Sequence, residues 1–183
     1  MTMDTVGIIT TRPLLQNRKT DCIFTIVKAE TLDFAKISDV DASAWGGDPC
    51  MVDGRYAWRV FVEHAHVWVA RYLASKKIVG AVLLLPTGQP QHYFVYKLFV
   101  DHRFCGSGIG TALMGAACVF LDKLGATAEL TIAADDQIIR KIFLNHDFSE
   151  KEAIPNYYGD GKTEISMTRR AHACPVEFQG YEM

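Results

Sequence analysis

Residues Tyr96–Met114 read YKLFVDHRFCGSGIGTALM, and the order of residue types in this stretch decides the fold. An apolar, aromatic run ends at Val100, a short polar loop follows, and glycines occupy positions 106, 108 and 110. Apolar residues with helical spacing then continue to Leu124. This order favours a phosphate site, because glycine lets the backbone approach a ligand and the N–H groups of a helix start point at the anion. A bare GxGxG pattern is weak, however, and a plain tight connection would also explain it.

The whole-chain composition is typical of a single globular domain. Of the 183 residues, 49% are hydrophobic and 22% are charged. We therefore expect one domain over residues 1–183, with a core at about 20–170 and peripheral ends at 1–19 and 171–183.

Charge and hydropathy narrow the class of partner and the compartment. A net charge of −2 argues against bulk nucleic-acid binding. No apolar run reaches the roughly 18–20 residues that span a bilayer, and no basic segment precedes the first apolar residues. Five cysteines without CxxC spacing argue against a metal site and indicate free thiols. We expect a cytoplasmic protein that binds neither a membrane nor a metal ion.

The periodicity of apolar residues predicts the order β-α-α-β-β-β-α-β-α-β-β. The predicted strands are Cys22–Lys28, Val67–Leu73, Ile78–Leu85, His92–Val100, Glu129–Ala134, Glu150–Ile154 and Glu164–Arg169. The predicted helices are Ala29–Ser38, Tyr56–Ala65, Gly108–Leu124 and Gln137–Asn145. The segment Asp39–Gly54 is predicted to be a loop because it is rich in glycine.

Three segments of this sequence resemble the GNAT superfamily of acetyl-CoA-dependent N-acetyltransferases. VDHRFCGSGIGTALM, at residues 100–114, is similar to motif A, in which Gln/Arg-x-x-Gly-x-Gly/Ala opens the cofactor helix. DQIIRKIFLNHDF, at 136–148, resembles a degenerate motif B, and IPNYYGDGKTEISMTR, at 154–169, resembles the closing hairpin. The resemblance implies an α/β (α+β) fold with a mixed sheet of about seven strands, in which strands four and five splay apart.

The resemblance also implies where acetyl-CoA binds. Backbone amides from about Cys105 to Gly110 would hold the pyrophosphate, the strand edge at Leu98–Val100 would pair with the pantetheine, and helix 136–146 would line its other side. The residues expected at the cofactor are Leu98, Phe99, Val100, Arg103, Cys105, Gly106, Ser107, Gly108, Ile109, Gly110, Thr111, Asp136 and Phe143.

Several positions depart from the family pattern. When Gly108 and Gly110 are aligned with the family glycines, Cys105 stands at the Gln/Arg position of motif A. Arg103 occupies that position only if the alignment is shifted by two residues. In motif B, Asp136 replaces the usual asparagine and Asp147 the usual glycine. Phe143 stands where many members have a tyrosine that protonates the leaving thiolate, and phenylalanine has no proton to give. The sequence thus leaves this proton donor to be found elsewhere.

Three other residues are candidates for the catalytic proton transfers. Tyr157 and Tyr158 lie in the loop where the family often brings hydroxyl groups to the acceptor, although they could equally pack a hairpin turn. Glu129 shares a strand face with Thr131 and could act as a base, although a strand-end surface charge is the simpler interpretation. Cys105 has no neighbouring base in the sequence, which favours direct transfer in a ternary complex.

The acceptor is expected to be an amine. Asp39, Asp41, Asp48 and Asp53 precede the second predicted helix, in a segment without lysine or arginine before Arg55. Carboxylates at a pocket mouth would favour a cationic amine or a basic peptide as acceptor. If the segment is instead a solvated acidic loop, it gives no preference among acceptors. Many relatives dimerise, so a homodimer is compatible with the resemblance.

Two other functions compete with acetyl transfer. A non-catalytic acyl-CoA-binding module of the same fold would account for the missing tyrosine at position 143. A dinucleotide-binding oxidoreductase would also use a glycine turn after a strand, but its fingerprint requires glycine or alanine where this chain has Thr111.

Overall fold

The computed structural model describes residues 23–49 and 51–172. The strands are β1 (Phe24–Lys28), β2 (His66–Tyr72), β3 (Ile78–Pro86), β4 (His92–Val100), β5 (Thr127–Ala133), β6 (Ser149–Pro155) and β7 (Thr163–Arg169). The helices are α1 (Phe34–Ala44), α2 (Arg55–His64), α3 (Ile109–Leu124) and α4 (Gln137–Leu144). Short 3-10 turns at Thr31–Asp33 and His102–Phe104 precede α1 and α3. The predictions for residues 1–19, for the tail beyond 172 and for Cys22, Cys50 and Cys174 lie outside the described residues.

The seven strands form one mixed sheet in the order β1-β2-β3-β4-β5-β7-β6. Neighbouring strands are antiparallel except β4 and β5, which run parallel. This parallel pair is joined over three residue pairs, from His92 with Thr127 to Phe94 with Glu129. Beyond Phe94 the two strands separate, which confirms the predicted splay.

The two faces of the sheet are covered by different helices, and each face has its own core. On one face α3 packs against the sheet through residues such as Leu113, Ala117 and Leu121. On the other face Ile37 of α1 and Trp58 of α2 pack against Val69 and Leu83. We refer to these as the α3 face and the α1/α2 face.

A β-bulge interrupts β4 at Tyr96. Leu83 of β3 pairs with Lys97 while Leu84 pairs with Val95, so Tyr96 has no partner of its own. The bulge shifts the alternation of side chains by one residue. Val95 before the bulge and Leu98 after it both contact the α3 face, and Lys97 is turned toward α1 and α2.

The sequence-based boundaries of α1 were wrong at both ends. The helix was expected over Ala29–Ser38, but a capping box delays its start: the Glu30 N–H donates to Asp33 Oδ2 at 3.0 Å. It then continues to Ala44, because Val40 and Ala44 pack against the α1/α2-face core. Asp39 and Asp41 therefore belong to a helix rather than to the predicted loop.

No helix in residues 23–49 and 51–172 is long and apolar enough to cross a membrane. Within the same residues, no three His, Cys, Asp or Glu side chains are grouped closely enough to hold a metal ion.

Candidate active site

The glycine turn presents free backbone amides at the start of α3. Gly106 and Gly108 have φ values of +78° and +83°, a left-handed conformation that other residues rarely adopt. The first helical N–H to bond within α3 is that of Ala112, which donates to Gly108 O at 3.0 Å. The N–H groups of Ile109–Thr111 precede it and have no helical partner. No side chain of the described chain caps this end, so the turn fits an anionic group.

The third glycine of the turn has a packing role. A Cβ atom on Gly110 would lie 3.3 Å from Ile142 Cδ1 of α4 and 3.8 Å from Val100 Cγ2 of β4. A side chain at this position would require the Ile142 methyl group to shift by a few tenths of an ångström, whereas its contact with Val100 would be an ordinary one. The close approach keeps α4 beside the glycine turn.

The polar side chains predicted at the cofactor mostly build the turn itself. The Arg103 Nε and Nη2 atoms donate to buried Asp101 at 3.0 and 2.6 Å, although the arginine side chain stays 69% exposed. The bonds from Arg103 hold the pKa of Asp101 below its ordinary value. Ser107 Oγ donates to Phe104 O, and exposed Cys105 has its Sγ 3.8 Å from Val100 O. The N–H groups of Cys105 and Ser107 also donate within the turn, to His102 O at 3.4 Å and Phe104 O at 3.3 Å, so the amides left for a ligand are mainly those at the start of α3.

The splay leaves one edge of β4 open. From Val95 to Val100 this strand bonds with β3 but not with β5, whose other edge is paired with β7 up to Ala133. The open N–H and C=O groups can be satisfied by amide groups of an extended ligand. The edge leads directly into the glycine turn, so the two form one groove. Leu98 and Val100 line its α3 side, whereas the Phe99 ring is buried against Trp58 and contributes backbone groups alone.

Two predicted cofactor residues of α4 have structural contacts. The Asp136 carboxylate caps α4 by accepting the N–H groups of Ile138 and Ile139 at 3.1 and 2.9 Å. The Phe143 ring is 3% exposed and packs edge-on against Phe148 in the core, with 5.4 Å between ring centroids. Its side chain is therefore directed away from solvent.

The predicted catalytic residues lie beside β5, across the opening between β4 and β5 from the open edge of β4. Tyr158 shares a hydrogen bond of 2.9 Å with Thr131 Oγ1 of β5, and the Tyr157 ring packs edge-on against it at 4.7 Å. Glu129 lies at the root of the splay, where its Oε2 is 3.7 Å from His92 Nε2. The structure thus brings Tyr158 and Glu129 to one face of β5, with the glutamate deeper.

A buried ionic cluster behind the bulge was missed by the sequence reasoning. Lys97 Nζ lies 2.8 Å from Asp41, 2.6 Å from Asp53 Oδ2 and 2.6 Å from Met51 O, and its side chain is 8% exposed. Asp41 is fully buried and also accepts Trp58 Nε1–H at 3.0 Å and the Asp53 N–H at 2.8 Å. A lysine inside an apolar strand was the available signal, because a buried ammonium requires counter-charges.

Tyr96 connects this cluster to the splay. Its hydroxyl group donates to Asp53 Oδ1 at 3.3 Å, and its ring packs against Phe61 of α2. Partial burial, the carboxylates of Asp53 and Asp41, and the nearby Tyr158 all raise the pKa of Tyr96. The phenol therefore stays protonated at neutral pH, with its proton directed to Asp53.

Neither interpretation of the acidic segment, carboxylates at a pocket mouth or a solvated loop, describes Asp41 and Asp53. Lys97 binds both Asp41 and Asp53, and Asp39 pairs with Arg55 at 2.9 Å on the surface. The Lys97 cluster retains one net negative charge from two carboxylates and one ammonium group.

The model of the acetyltransferase (GNAT) family matches residues 32–148. The sequence search of curated proteins gave no match.

Solved structures share the fold. The ribosomal-protein-S18-alanine N-acetyltransferase from Escherichia coli superposes with a TM-score of 0.70 at 19% identity, covering 84% of this chain and 98% of its own. A putative acetyltransferase from Salmonella typhimurium, solved with its cofactor acetyl-CoA, has a TM-score of 0.68 at 15% identity, with the same two coverages. A GNAT acetyltransferase from Streptococcus pneumoniae has a TM-score of 0.70 at 15% identity, covering 81% of this chain and 99% of its own. The chain therefore belongs to the GNAT family of acetyltransferases, enzymes that use acetyl-CoA as co-substrate.

Proposed function

We propose that this enzyme transfers the acetyl group of acetyl-CoA directly to a primary amine in a ternary complex. The open edge of β4 carries this proposal, since it runs from the bulge at Tyr96 into the amides at the start of α3. Pantetheine paired along this edge, with its pyrophosphate at Gly106–Thr111, would bring the thioester to the splay. Tyr96 and Tyr158 lie around that point and are available to the acceptor, with the Lys97 cluster buried behind Tyr96.

The groove can hold the donor through backbone groups alone. Pantetheine contains two amide groups, which match the unpaired N–H and C=O groups of a strand edge. The pyrophosphate is an anion, which matches the uncapped helix start and its dipole. Binding therefore does not depend on the side chain of Cys105, where this sequence departs from the family pattern.

The chemistry needs a neutral amine whose nitrogen lone pair attacks the thioester carbonyl carbon. The C–N bond forms, the C–S bond breaks, and the thiolate leaves with the electron pair and takes up a proton. Tyr158 is the best-placed proton donor, because its hydroxyl lies beside the opening between β4 and β5. Phe143, at the family's usual position for this role, has no hydroxyl group. A cysteine intermediate is unsupported, since Cys105 hydrogen-bonds with backbone carbonyls rather than with a base.

The class of amine acceptor is inferred from the net charge of the Lys97 cluster. Because Lys97 neutralises one of the two carboxylates that it binds, the Lys97 cluster carries one net negative charge. This charge suits a single ammonium group, such as a peptide N-terminus, a lysine side chain or a small cationic amine. It gives less support to a polyamine, which would require several free carboxylates.

The test is release of free thiol from acetyl-CoA in the presence of an amine panel. The panel contains peptides with a free N-terminus or an internal lysine, an aminoglycoside and spermidine. We expect thiol release with at least one monovalent amine, and mass spectrometry should find a gain of one acetyl group on the acceptor. If CoA binds but no amine causes thiol release, the protein is instead a non-catalytic acyl-CoA-binding module.

A further inference from the structure

We infer that Tyr96 is a catalytic residue that receives the proton of the attacking amine and passes its own to Asp53, with Lys97 and Asp41 positioning Asp53. The inference rests on the proposed function and names residues for its acceptor half. Four observations support it: the arrangement of oxygens in the Lys97 cluster, the exposure of Tyr96, the bulge in β4 and the position of Tyr158 across the opening.

The oxygens of the cluster are divided between Lys97 and Tyr96. All three ammonium N–H groups of Lys97 have acceptors, namely Asp41, Asp53 Oδ2 and Met51 O. Both oxygens of Asp41 lie 2.8 Å from Lys97 Nζ. Asp53 Oδ1 is directed instead to the Tyr96 hydroxyl. The carboxylate of Asp53 therefore has one oxygen held by the buried cation and one aimed toward the splay.

Asp53 is held at three points, one on its carboxylate and two on its backbone. Its Oδ2 bonds to Lys97, the backbone N–H of the same residue donates to Asp41 at 2.8 Å, and Ser38 Oγ donates to its backbone carbonyl at 3.3 Å. Asp41 is fixed in turn by the buried Trp58 indole. A carboxylate held in this way keeps its distance from Tyr96 constant, which is what a proton relay requires.

Tyr96 is the accessible end of this chain. It is 43% exposed, whereas Lys97 and Asp41 are buried. The bulge turns Tyr96 and Lys97 toward the same face, an arrangement that regular alternation along β4 would forbid. Tyr96 is also the second residue after Phe94, where β4 and β5 separate. Its hydroxyl therefore borders the opening through which an acceptor reaches the thioester.

The Tyr158 hydroxyl lies on the β5 side of the opening, across from Tyr96 on β4. It bonds to Thr131, the second residue after Glu129, which is the last residue of β5 paired with β4. Tyr96 and Thr131, the residue that binds the Tyr158 hydroxyl, thus lie at equivalent steps along the separating strands. An amine and a thioester between them have one hydroxyl for the nitrogen and another for the sulfur.

The steps balance as follows. The neutral amine donates one N–H to Tyr96 O, which orients its lone pair toward the thioester carbon. As the C–N bond forms, the nitrogen becomes acidic, its proton moves to Tyr96 O, and the phenolic proton moves to Asp53 Oδ1. The C–S bond breaks and the thiolate takes the proton of Tyr158. Asp53 then releases its proton to water and Tyr158 takes one up, so the net products are the acetylamide and CoA thiol.

The test compares Tyr96→Phe, Asp53→Asn and the double variant with the active amine from the panel. General acid–base residues contribute about 10²–10⁴-fold to rate, so we expect kcat to fall about 100-fold in each single variant. The dissociation constant of CoA should stay at the wild-type value, because the donor groove is untouched. The double variant should be no slower than the slower single variant, because residues that act as one relay lose their effect together.

The matched control is Tyr56→Phe, which makes the same change on α2, at a side chain that is 93% exposed. It should leave kcat unchanged. A Tyr96→Phe variant with wild-type kcat would overturn the relay while leaving acetyl transfer standing. So would multiplicative losses of about 10⁴-fold in the double variant, which would mean that the two residues act independently. If the wild type releases no thiol with any amine, the proposed function fails, and the relay fails with it.

Discussion

Replacing Gly108 by alanine tests whether the turn before α3 binds the pyrophosphate. Gly108 has a φ of +83°, and an added Cβ atom would meet nothing within 4 Å. The substitution therefore costs backbone strain without a steric clash, about 1–2 kcal/mol of the free energy of unfolding. A domain stable by about 5–15 kcal/mol should still fold.

The loss of CoA affinity should be larger than this strain suggests. Apart from the adjoining residues, no atom of the described chain lies within 4 Å of the added Cβ, and we expect a pyrophosphate bound to the amides of Ile109–Thr111 to occupy this space. Hydrogen bonds to a charged group contribute about 1.5–3 kcal/mol each. Losing two of them weakens binding by about 3–6 kcal/mol, or about 10²- to 10⁴-fold in Kd. Isothermal titration calorimetry with CoA measures this change directly.

Gly125→Ala is the matched control. Gly125 ends the same helix with a φ of +63° and also has nothing within 4 Å of an added Cβ atom. It should lower the urea midpoint of unfolding by a similar amount and leave the Kd for CoA unchanged. Wild-type CoA affinity in Gly108→Ala would refute the site assignment. Equal loss of affinity in both variants would show that helix strain, rather than the anion site, controls binding.

Two further predictions concern Lys97 and Cys105. Lys97→Met leaves buried carboxylates without their cation and should lower the free energy of unfolding by about 3–5 kcal/mol in urea titrations, whereas Arg55→Met at an exposed ion pair should change it by less than about 1 kcal/mol. Equal urea midpoints for these two variants would contradict a stabilising role for Lys97 in the buried cluster. Iodoacetamide at pH 8 should alkylate exposed Cys105 and spare Cys118, because burial raises the pKa of the Cys118 thiol to about 11. Saturating CoA should slow alkylation of Cys105, as measured by peptide mapping, and an unchanged rate would place CoA away from the turn.

Local signals in the sequence were enough to predict β4, the glycine turn and α3. The strand His92–Val100 was predicted with the bounds observed, and α3 begins one residue after the predicted Gly108. Strand propensity, left-handed glycines and helical periodicity all act within about 20 residues, so each can be recognised without knowledge of the fold. The family motif added the expectation that β4 and β5 separate.

The Lys97 cluster could not be predicted in this way, because its contacts join distant parts of the chain. Lys97 lies 56 residues from Asp41 and 44 from Asp53, and local patterns do not specify such pairs. The bulge at Tyr96 has no glycine or proline to mark it, and without the bulge Tyr96 and Lys97 would be assigned to opposite faces. The acidic residues were therefore interpreted as a solvent-facing or substrate-facing group, although two of them bind a lysine of the sheet.

The Lys97 cluster and the open edge of β4 are linked by the energetics of the strand. Beyond Phe94, β4 lacks the hydrogen bonds to β5 that would otherwise hold it, and this gap is what admits a ligand. A strand paired on one side is more easily displaced than one paired on both. Lys97 compensates from the other face, because it ties the middle of the unpaired segment to α1 and to the residues before α2. The same bonds hold Asp53 against Tyr96, so the contacts that steady the proposed donor groove would also orient the proposed acceptor side.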